Sequence, residues 1–184
     1  MHPIFTLQYG EFIVADTLCN LLKNCSVFVP ASSQEKGIDL LLYQHKNNQT
    51  KTVGVQVKMS RSYQVSKKYS HTLWFNRFEP QSNADLFILT GTYAPSPSNS
   101  ESGISNIQWE NIMLAFTYQE MKEFMESVRL KTNPEKYDKM FGFGFNSPSA
   151  IFQTRGFATE RNMTCYLLKN RIAEIEKLFS KTPI

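Results

Sequence analysis

Two short apolar runs joined by a polar loop decide the fold: Gly37-Ile-Asp-Leu-Leu-Leu-Tyr43 and Val53-Gly-Val-Gln-Val-Lys-Met59. In the second run apolar and polar residues alternate with a period of two, which is typical of a β-strand. Gln56 and Lys58 should therefore share one face, opposite the core. Asp39 lies among apolar residues of the first run, where a carboxylate is costly unless a partner compensates for it. The stretch predicts a β-hairpin that carries Asp, Gln and Lys.

The length of 184 residues suits one substantial hydrophobic core. We expect a single domain over 1–184, with a core in 10–91, an exposed loop in 94–105 and a C-terminal strand and helices in 107–184. The net charge of +4 suits a polyanionic partner. The three cysteines lack CxxC spacing, which argues against a disulfide framework and a zinc site and favours reduced, buried thiols.

Upstream of the hairpin, residues 11–22 show helical spacing. Glu11 extends the apolar stripe of this helix by one acidic residue at its N-terminal end. Taken alone, Glu11 reads as a carboxylate favoured by the helix dipole. The inward face is predicted to consist of Val14, Ala15, Leu18 and Leu22.

Directly after the hairpin, basic and aromatic residues are interleaved: Arg61, Tyr63, Lys67 and Lys68. Such a mixture suits a phosphate backbone and unstacked bases, so we predict a nucleic-acid contact here. A solvated loop is the alternative. Residues 71–76 are compatible with either a strand or a short helix.

The second half of the chain predicts further strands and helices. Residues 85–91 form a continuous apolar run, typical of a central strand covered on both faces. Residues 111–116 predict another strand, and Thr117-Tyr-Gln-Glu120 matches the capping box of a helix that should end near Leu130. Residues 131–161 are rich in turn formers, and their motif Phe141-Gly-Phe-Gly-Phe145 is expected in the core or in a lid.

The last predicted helix, residues 164–179, should pack against the sheet. The N-terminus lacks the basic segment and apolar run of a signal peptide, and no apolar run reaches membrane-spanning length. We therefore expect a cytoplasmic protein without membrane association.

The order of helix with Glu, strand with Asp and strand with Gln-x-Lys resembles the PD-(D/E)XK nuclease superfamily, over about residues 10–91. This superfamily includes restriction endonucleases, Holliday-junction resolvases and repair nucleases. The resemblance implies a restriction endonuclease-like α/β sandwich with a central mixed β-sheet flanked by helices. It also implies that Asp39 is the metal-binding aspartate and Lys58 the catalytic lysine. Gln56 then takes the second acidic position, and Glu11 is the helix-borne acidic residue.

Two positions depart from the family pattern. Ile38 replaces the proline, which the family tolerates. Gln56 replaces Asp or Glu, and a neutral amide oxygen binds a hard cation less strongly than a carboxylate does. Some branches of the superfamily carry glutamine here.

Phosphodiester hydrolysis needs charge neutralisation and an activated water, which Mg²⁺, or Mn²⁺ as a substitute, supplies when held by oxygen ligands. The expected metal ligands are Glu11, Asp39, Gln56 and the backbone carbonyl of Val57, with Lys58 stabilising developing charge. The predicted function is thus a metal-dependent DNA endonuclease, of restriction or repair type. A restriction-type enzyme would be expected to form a homodimer.

Two other functions fit the same residues. Gln56 and the modest charge would suit a nuclease-like DNA-binding module without catalysis. In a structural or interaction protein, Asp39 and Lys58 would form a cross-strand ion pair.

Overall fold

The computed structural model describes residues 9–30, 36–63, 67–94 and 109–180. Within these ranges the chain forms three α-helices and eleven β-strands. The helices are α1 (Tyr9–Leu21), α2 (Tyr118–Ser127) and α3 (Ile172–Leu178). The strands are β1 (Ser26–Phe28), β2 (Leu40–Lys46), β3 (Gln49–Arg61), β4 (His71–Asn76), β5 (Leu86–Tyr93), β6 (Glu110–Thr117), β7 (Arg129–Leu130), β8 (Asn133–Tyr137), β9 (Met140–Ser147), β10 (Ala150–Arg155) and β11 (Arg161–Asn162).

A mixed five-stranded sheet forms the centre of the structure, with the strand order β1-β2-β3-β5-β6. Strands β3 and β5 are parallel, whereas the other neighbours are antiparallel. All eight residues of β5 are buried, as expected for an apolar strand covered on both faces. The mixed α/β class with a mixed central sheet is therefore confirmed.

The predicted hairpin is formed by β2 and β3 in antiparallel register, with Lys46 opposite Gln49. Its turn consists of Asn47 and Asn48, which have φ angles of 52° and 58°. Positive φ at both central residues gives the tight two-residue hairpin turn, and asparagine tolerates this conformation better than most residues. The connection is thus shorter than the polar composition of residues 45–51 suggested.

The helix-side core lies on one face of the central sheet. There, α1 and α3 pack on side chains from the central strands β2, β3, β5 and β6. The buried face of α1 is the one predicted from the sequence. Gly10 is also buried on this helix, because its backbone lies close to Met59 of β3. The core residues contributed by the two helices are Val14, Ala15, Leu18, Ile175 and Leu178.

The opposite face of the sheet is covered by α2 and a second, four-stranded sheet of order β11-β10-β9-β4. The expectation that helices flank the sheet therefore holds on one face and is wrong for most of the other. Strands β9 and β10 of the second sheet lie within residues 131–161, where glycines suggested turns, and β9 pairs with the earlier strand β4. In β9, however, Gly142 and Gly144 alternate with fully buried phenylalanines, and a Cβ at Gly144 would lie 2.5 Å from the Tyr69 ring. These glycines make room for neighbouring side chains within a strand.

The C-terminal helix is shorter than predicted. Two 3₁₀ turns, Thr164–Tyr166 and Leu168–Asn170, precede α3. Between the turns, Leu167 has extended backbone and forms a β-bridge with Leu114 of β6. This contact with the central sheet interrupts the helix.

Residues 71–76 form strand β4, and the capping box joins the Thr117 and Glu120 side chains to each other's backbone N–H groups. Helix α2 ends at Ser127, before Leu130. The predicted loop at 94–105 lies, apart from Ala94, outside the described residues.

The expected burial of the cysteines is wrong for two of the three. Cys19 and Cys165 are exposed, and Cys25 is half-buried. Among the described residues, no helix combines the length and apolar character needed to cross a membrane.

Candidate functional site

The site lies where the two strands of the hairpin part. Strand β2 begins at Leu40, opposite Val55, whereas β3 continues to Arg61. Asp39 donates its backbone N–H to the Val55 carbonyl at 2.8 Å, and its Oδ2 accepts the Val57 N–H at 2.7 Å. The Asp39 carboxylate thus takes the place of the next backbone partner at the open edge of β3.

The N-terminus of α1 approaches this edge closely. A Cβ at Gly10 would lie 2.8 Å from Met59 Sδ, so glycine allows the helix to contact β3 there. The next residue, Glu11, is half-buried. Burial, and then the negative charge of Asp39, raise the pKa of Glu11, whereas the positive charge of Lys58 acts in the opposite direction. Three predicted site residues from a helix and both arms of the hairpin therefore interact electrostatically.

A cleft of about 730 Å³ opens at this position. Its charged lining residues are Glu11, Asp39 and Lys58, and four of the other eight lining residues are aromatic. The other lining residues are Val57, Met59, Tyr63, Trp74, Phe75, Asn76, Phe78 and Met140. The volume lies within the range of about 300–1,000 Å³ for pockets that bind small ligands.

Lys58 extends over an aromatic ring instead of pairing with Asp39. Its Nζ lies 5.5 Å from the centre of the Phe78 ring. The salt bridges found among the described residues are Lys68–Glu160, Arg155–Asp138 and Arg171–Glu120. The cross-strand ion pair between Asp39 and Lys58 is therefore not formed, and the ammonium is available to the cleft.

Gln56 is more deeply placed than expected. It shares the face of Lys58, but it is only 6% exposed because the second sheet covers this face. The predicted position opposite the core is thus wrong, since both faces of β3 are covered there. Gln56 Oε1 is buried without a hydrogen-bond partner in the described part of the chain. An unsatisfied buried oxygen of this kind costs about 1–3 kcal/mol.

The Val57 carbonyl belongs to the same edge as Asp39. In a β-strand the N–H and C=O of one residue point to the same side. Because the Val57 N–H points to Asp39, its carbonyl faces the open edge of β3 as well. The Val57 side chain, by contrast, is buried in the helix-side core.

The predicted basic and aromatic stretch divides into two parts. Arg61 donates from Nε to the Tyr63 hydroxyl at 3.1 Å, and Tyr63 lines the cleft with 39% of its surface exposed. Lys67 is exposed, and Lys68 forms a salt bridge with Glu160 at 2.7 Å. Neither lysine lines the cleft.

Three residues that line the cleft, Trp74, Phe78 and Met140, were not predicted from the sequence. With residues 71–76 assigned to a strand, alternation places Trp74 and Leu73 on opposite faces. No local sequence pattern predicts that Met140 lines the cleft. Met140 reaches the cleft because β9 pairs with β4, which places Met140 opposite Asn76.

The donor set fits an oxygen-preferring cation such as Mg²⁺. It comprises the carboxylates of Glu11 and Asp39 and the Val57 carbonyl. The unsatisfied Gln56 amide oxygen is buried, and Gln56 is not among the residues that line the cleft. No group of three or more His, Cys, Asp or Glu side chains placed to hold a metal occurs in the described ranges. The candidate site therefore depends on neutral oxygens as well as on carboxylates.

No protein-family model matches this chain, and no curated protein or solved structure matches it either.

Replacing Glu11 with glutamine should stabilise the metal-free protein at neutral pH. The raised pKa of Glu11 means that the folded state binds the proton more tightly than the unfolded state does. Stability is therefore lost as the pH rises from the ordinary value of 4.5 through the raised value. Glu11→Gln should remove this loss and raise Tm by roughly 1–3 °C, allowing for solvent screening. Thermal unfolding in EDTA across this pH range checks the prediction, and a constant difference at all pH values would contradict it.

The effect of replacing Asp39 should depend on whether the new side chain can accept a hydrogen bond. Asp39→Ala leaves the Val57 N–H without its partner and should cost about 1–2 kcal/mol, whereas Asp39→Asn retains an acceptor and should cost much less. Chemical denaturation of both variants in EDTA distinguishes the two roles of Asp39. Equal losses would show that its charge, and not the hydrogen bond, stabilises the fold.

Proposed function

We propose that this protein is a Mg²⁺-dependent endonuclease that hydrolyses DNA phosphodiester bonds, with a PD-(D/E)XK-type site on a restriction endonuclease-like fold. The observation that carries the proposal is the convergence of Glu11, Asp39 and Lys58 at one cleft. These residues come from the helix and the two hairpin arms in the order that the family resemblance requires. Three charged residues without a common function would not be expected to line the same cleft.

Each group has a chemical role. A divalent cation held by Glu11, Asp39, the Val57 carbonyl and Gln56 would neutralise phosphate charge and lower the pKa of a bound water. The Asp39 carboxylate is already oriented by the Val57 N–H, so little ordering is needed. The Lys58 ammonium lines the same cleft and can donate hydrogen bonds to the attacking water or to the developing negative charge.

DNA is the proposed substrate because the chain has a net charge of +4 and places Arg61 beside the cleft. Arg61 is exposed and can contact a phosphate next to the one being cleaved. A cytoplasmic location belongs to the same proposal, as does a homodimer if both strands of a duplex are cut.

A DNA-binding module without catalysis is the second candidate, and Gln56 favours it. The family position for a second carboxylate holds a neutral, buried amide in this chain. Such a module would bind DNA in a salt-sensitive manner without cleaving it, and a divalent metal would not stabilise it.

The deciding experiment incubates the protein with supercoiled plasmid, branched DNA and single-stranded DNA in Mg²⁺ or Mn²⁺. Asp39→Asn is the test variant, and Asp85→Asn is the matched control. Asp85 also accepts a backbone N–H of β3, that of Gly54 at 2.9 Å, but it does not line the cleft. Cleavage by wild type and Asp85→Asn, lost in Asp39→Asn, supports the proposal. DNA binding without metal-dependent cleavage by the wild type would instead identify a binding module.

A further inference from the structure

The lining of the cleft includes three partly exposed aromatic rings, those of Tyr63, Trp74 and Phe78, which form what we call the aromatic wall. Tyr63 is 39% exposed, and Trp74 and Phe78 are half-buried. A site that contacts only the outer phosphates of a duplex has no use for such rings, because duplex bases are stacked on each other. The aromatic surface needs a ligand with an exposed, flat, apolar face.

Tyr63 is held in place by its backbone and by its hydroxyl. Its N–H and carbonyl pair with Thr72 at 2.8 and 2.9 Å, and the Thr72 hydroxyl donates to the Tyr63 carbonyl at 2.6 Å. Arg61 Nε binds the Tyr63 hydroxyl at 3.1 Å. The ring is therefore fixed beside an exposed guanidinium, which places a base contact next to a phosphate contact.

Trp74 is fixed in a similar way on the neighbouring strand. Its backbone N–H donates to Ser60 Oγ at 3.1 Å, and the guanidinium of Arg155 lies 5.0 Å from its ring centre. Arg155 is in turn held by two 3.0 Å hydrogen bonds to Asp138. Because these partners restrict Trp74 before any ligand arrives, binding costs little additional ordering.

We propose that the cleft binds an unstacked nucleotide, and that the substrate of this protein is single-stranded DNA. The proposal rests on the function proposed above and specifies its substrate class. The base stacks on the aromatic wall, while its phosphate lies towards Lys58 and Arg61. Base–aromatic stacking is available to every base when it is unpaired, so single strands are bound with little sequence preference.

A binding experiment in EDTA tests this inference without any cleavage. The chain has two tryptophans, Trp74 and the exposed Trp109, so Trp109→Phe leaves Trp74 as the only reporter in the cleft. Its fluorescence is followed while an oligonucleotide of about 12 nucleotides is added, either single-stranded or as the matched duplex. We expect quenching by the single strand, with an affinity at least ten times that for the duplex at the same salt concentration.

Tyr63 supplies the variants, all made in the Trp109→Phe background. Tyr63→Ala should weaken single-strand binding by roughly 5- to 100-fold, as expected for the loss of one base–aromatic stack, whereas Tyr63→Phe should retain most of the affinity. Tyr137→Ala is the control, since Tyr137 is also exposed, but between Arg77 and Arg129 and outside the cleft. An unchanged affinity in Tyr63→Ala, or equal affinities for duplex and single strand, would overturn the inference.

The two proposals fail in different ways. Selective, Tyr63-dependent binding of single strands without cleavage in Mg²⁺ would support the substrate class and refute the nuclease. Metal-dependent cleavage of duplex that is unaffected by Tyr63→Ala would support the nuclease and refute the substrate class.

Discussion

Replacing Lys58 with alanine should slow Mg²⁺-dependent DNA cleavage by roughly 10²- to 10³-fold, the usual cost of removing one group that stabilises transition-state charge. The Lys58 side chain lies over Phe78 at the cleft and forms no salt bridge within the described ranges. Its loss should therefore change the fold and its stability little. Single-turnover cleavage, measured beside thermal unfolding, separates the chemical effect from a structural one.

Arg61→Ala is the matched control, because it removes the same charge from the same strand. Arg61 is exposed and hydrogen-bonded to the Tyr63 hydroxyl. Removing its side chain should weaken DNA binding and reduce the salt dependence of that binding, while kcat stays within a few-fold of the wild-type value. If the wild type and Lys58→Ala nick DNA to the same extent, Lys58 has no part in the chemistry.

Replacing Gln56 with glutamate should destabilise the metal-free protein and strengthen its response to Mg²⁺. Gln56 is 6% exposed, so a carboxylate there is buried without a compensating charge in EDTA and should cost about 2–3 kcal/mol. With Mg²⁺ present, the same carboxylate becomes a stronger ligand than the amide. We expect apparent Mg²⁺ affinity to increase at least roughly tenfold, which adds about 1.4 kcal/mol of stabilisation at saturation. Thermal unfolding in EDTA and across a Mg²⁺ series measures both effects.

Gln56→Met is the opposite control. Methionine has a similar length and removes the buried oxygen that lacks a partner, so it should raise stability in EDTA by about 1 kcal/mol. It should also weaken the stabilisation by Mg²⁺. If the glutamate and methionine variants respond to Mg²⁺ equally, Gln56 is not a ligand.

The parts of the site that could be predicted from the sequence are those encoded by local patterns. Alternation in the β3 segment and helical spacing after Gly10 placed Lys58 and Glu11 on the correct elements, and their order suggested that they meet Asp39. The structure brings these three residues to one cleft. The hairpin turn was also signalled, although the ability of Asn47 and Asn48 to adopt positive φ made it tighter than composition indicated.

The parts that could not be predicted depend on contacts between distant segments. The second sheet requires β4 to pair with β9, which places Leu73 opposite Phe143, and no local pattern specifies that partner. The burial of Gln56 follows from this sheet, as does the position of Met140 in the cleft. The interruption of the last helix likewise depends on the bridge from Leu167 to Leu114.

The proposed function requires Glu11, Asp39 and their neighbouring oxygens to hold one divalent cation at the cleft. Calorimetric titration of Mn²⁺ into the wild type and Asp39→Asn, with Asp85→Asn as control, tests it most directly. We predict one binding site per chain in the wild type and in Asp85→Asn, and loss of that site in Asp39→Asn. Identical titrations for wild type and Asp39→Asn, or no binding to the wild type, would contradict the claim.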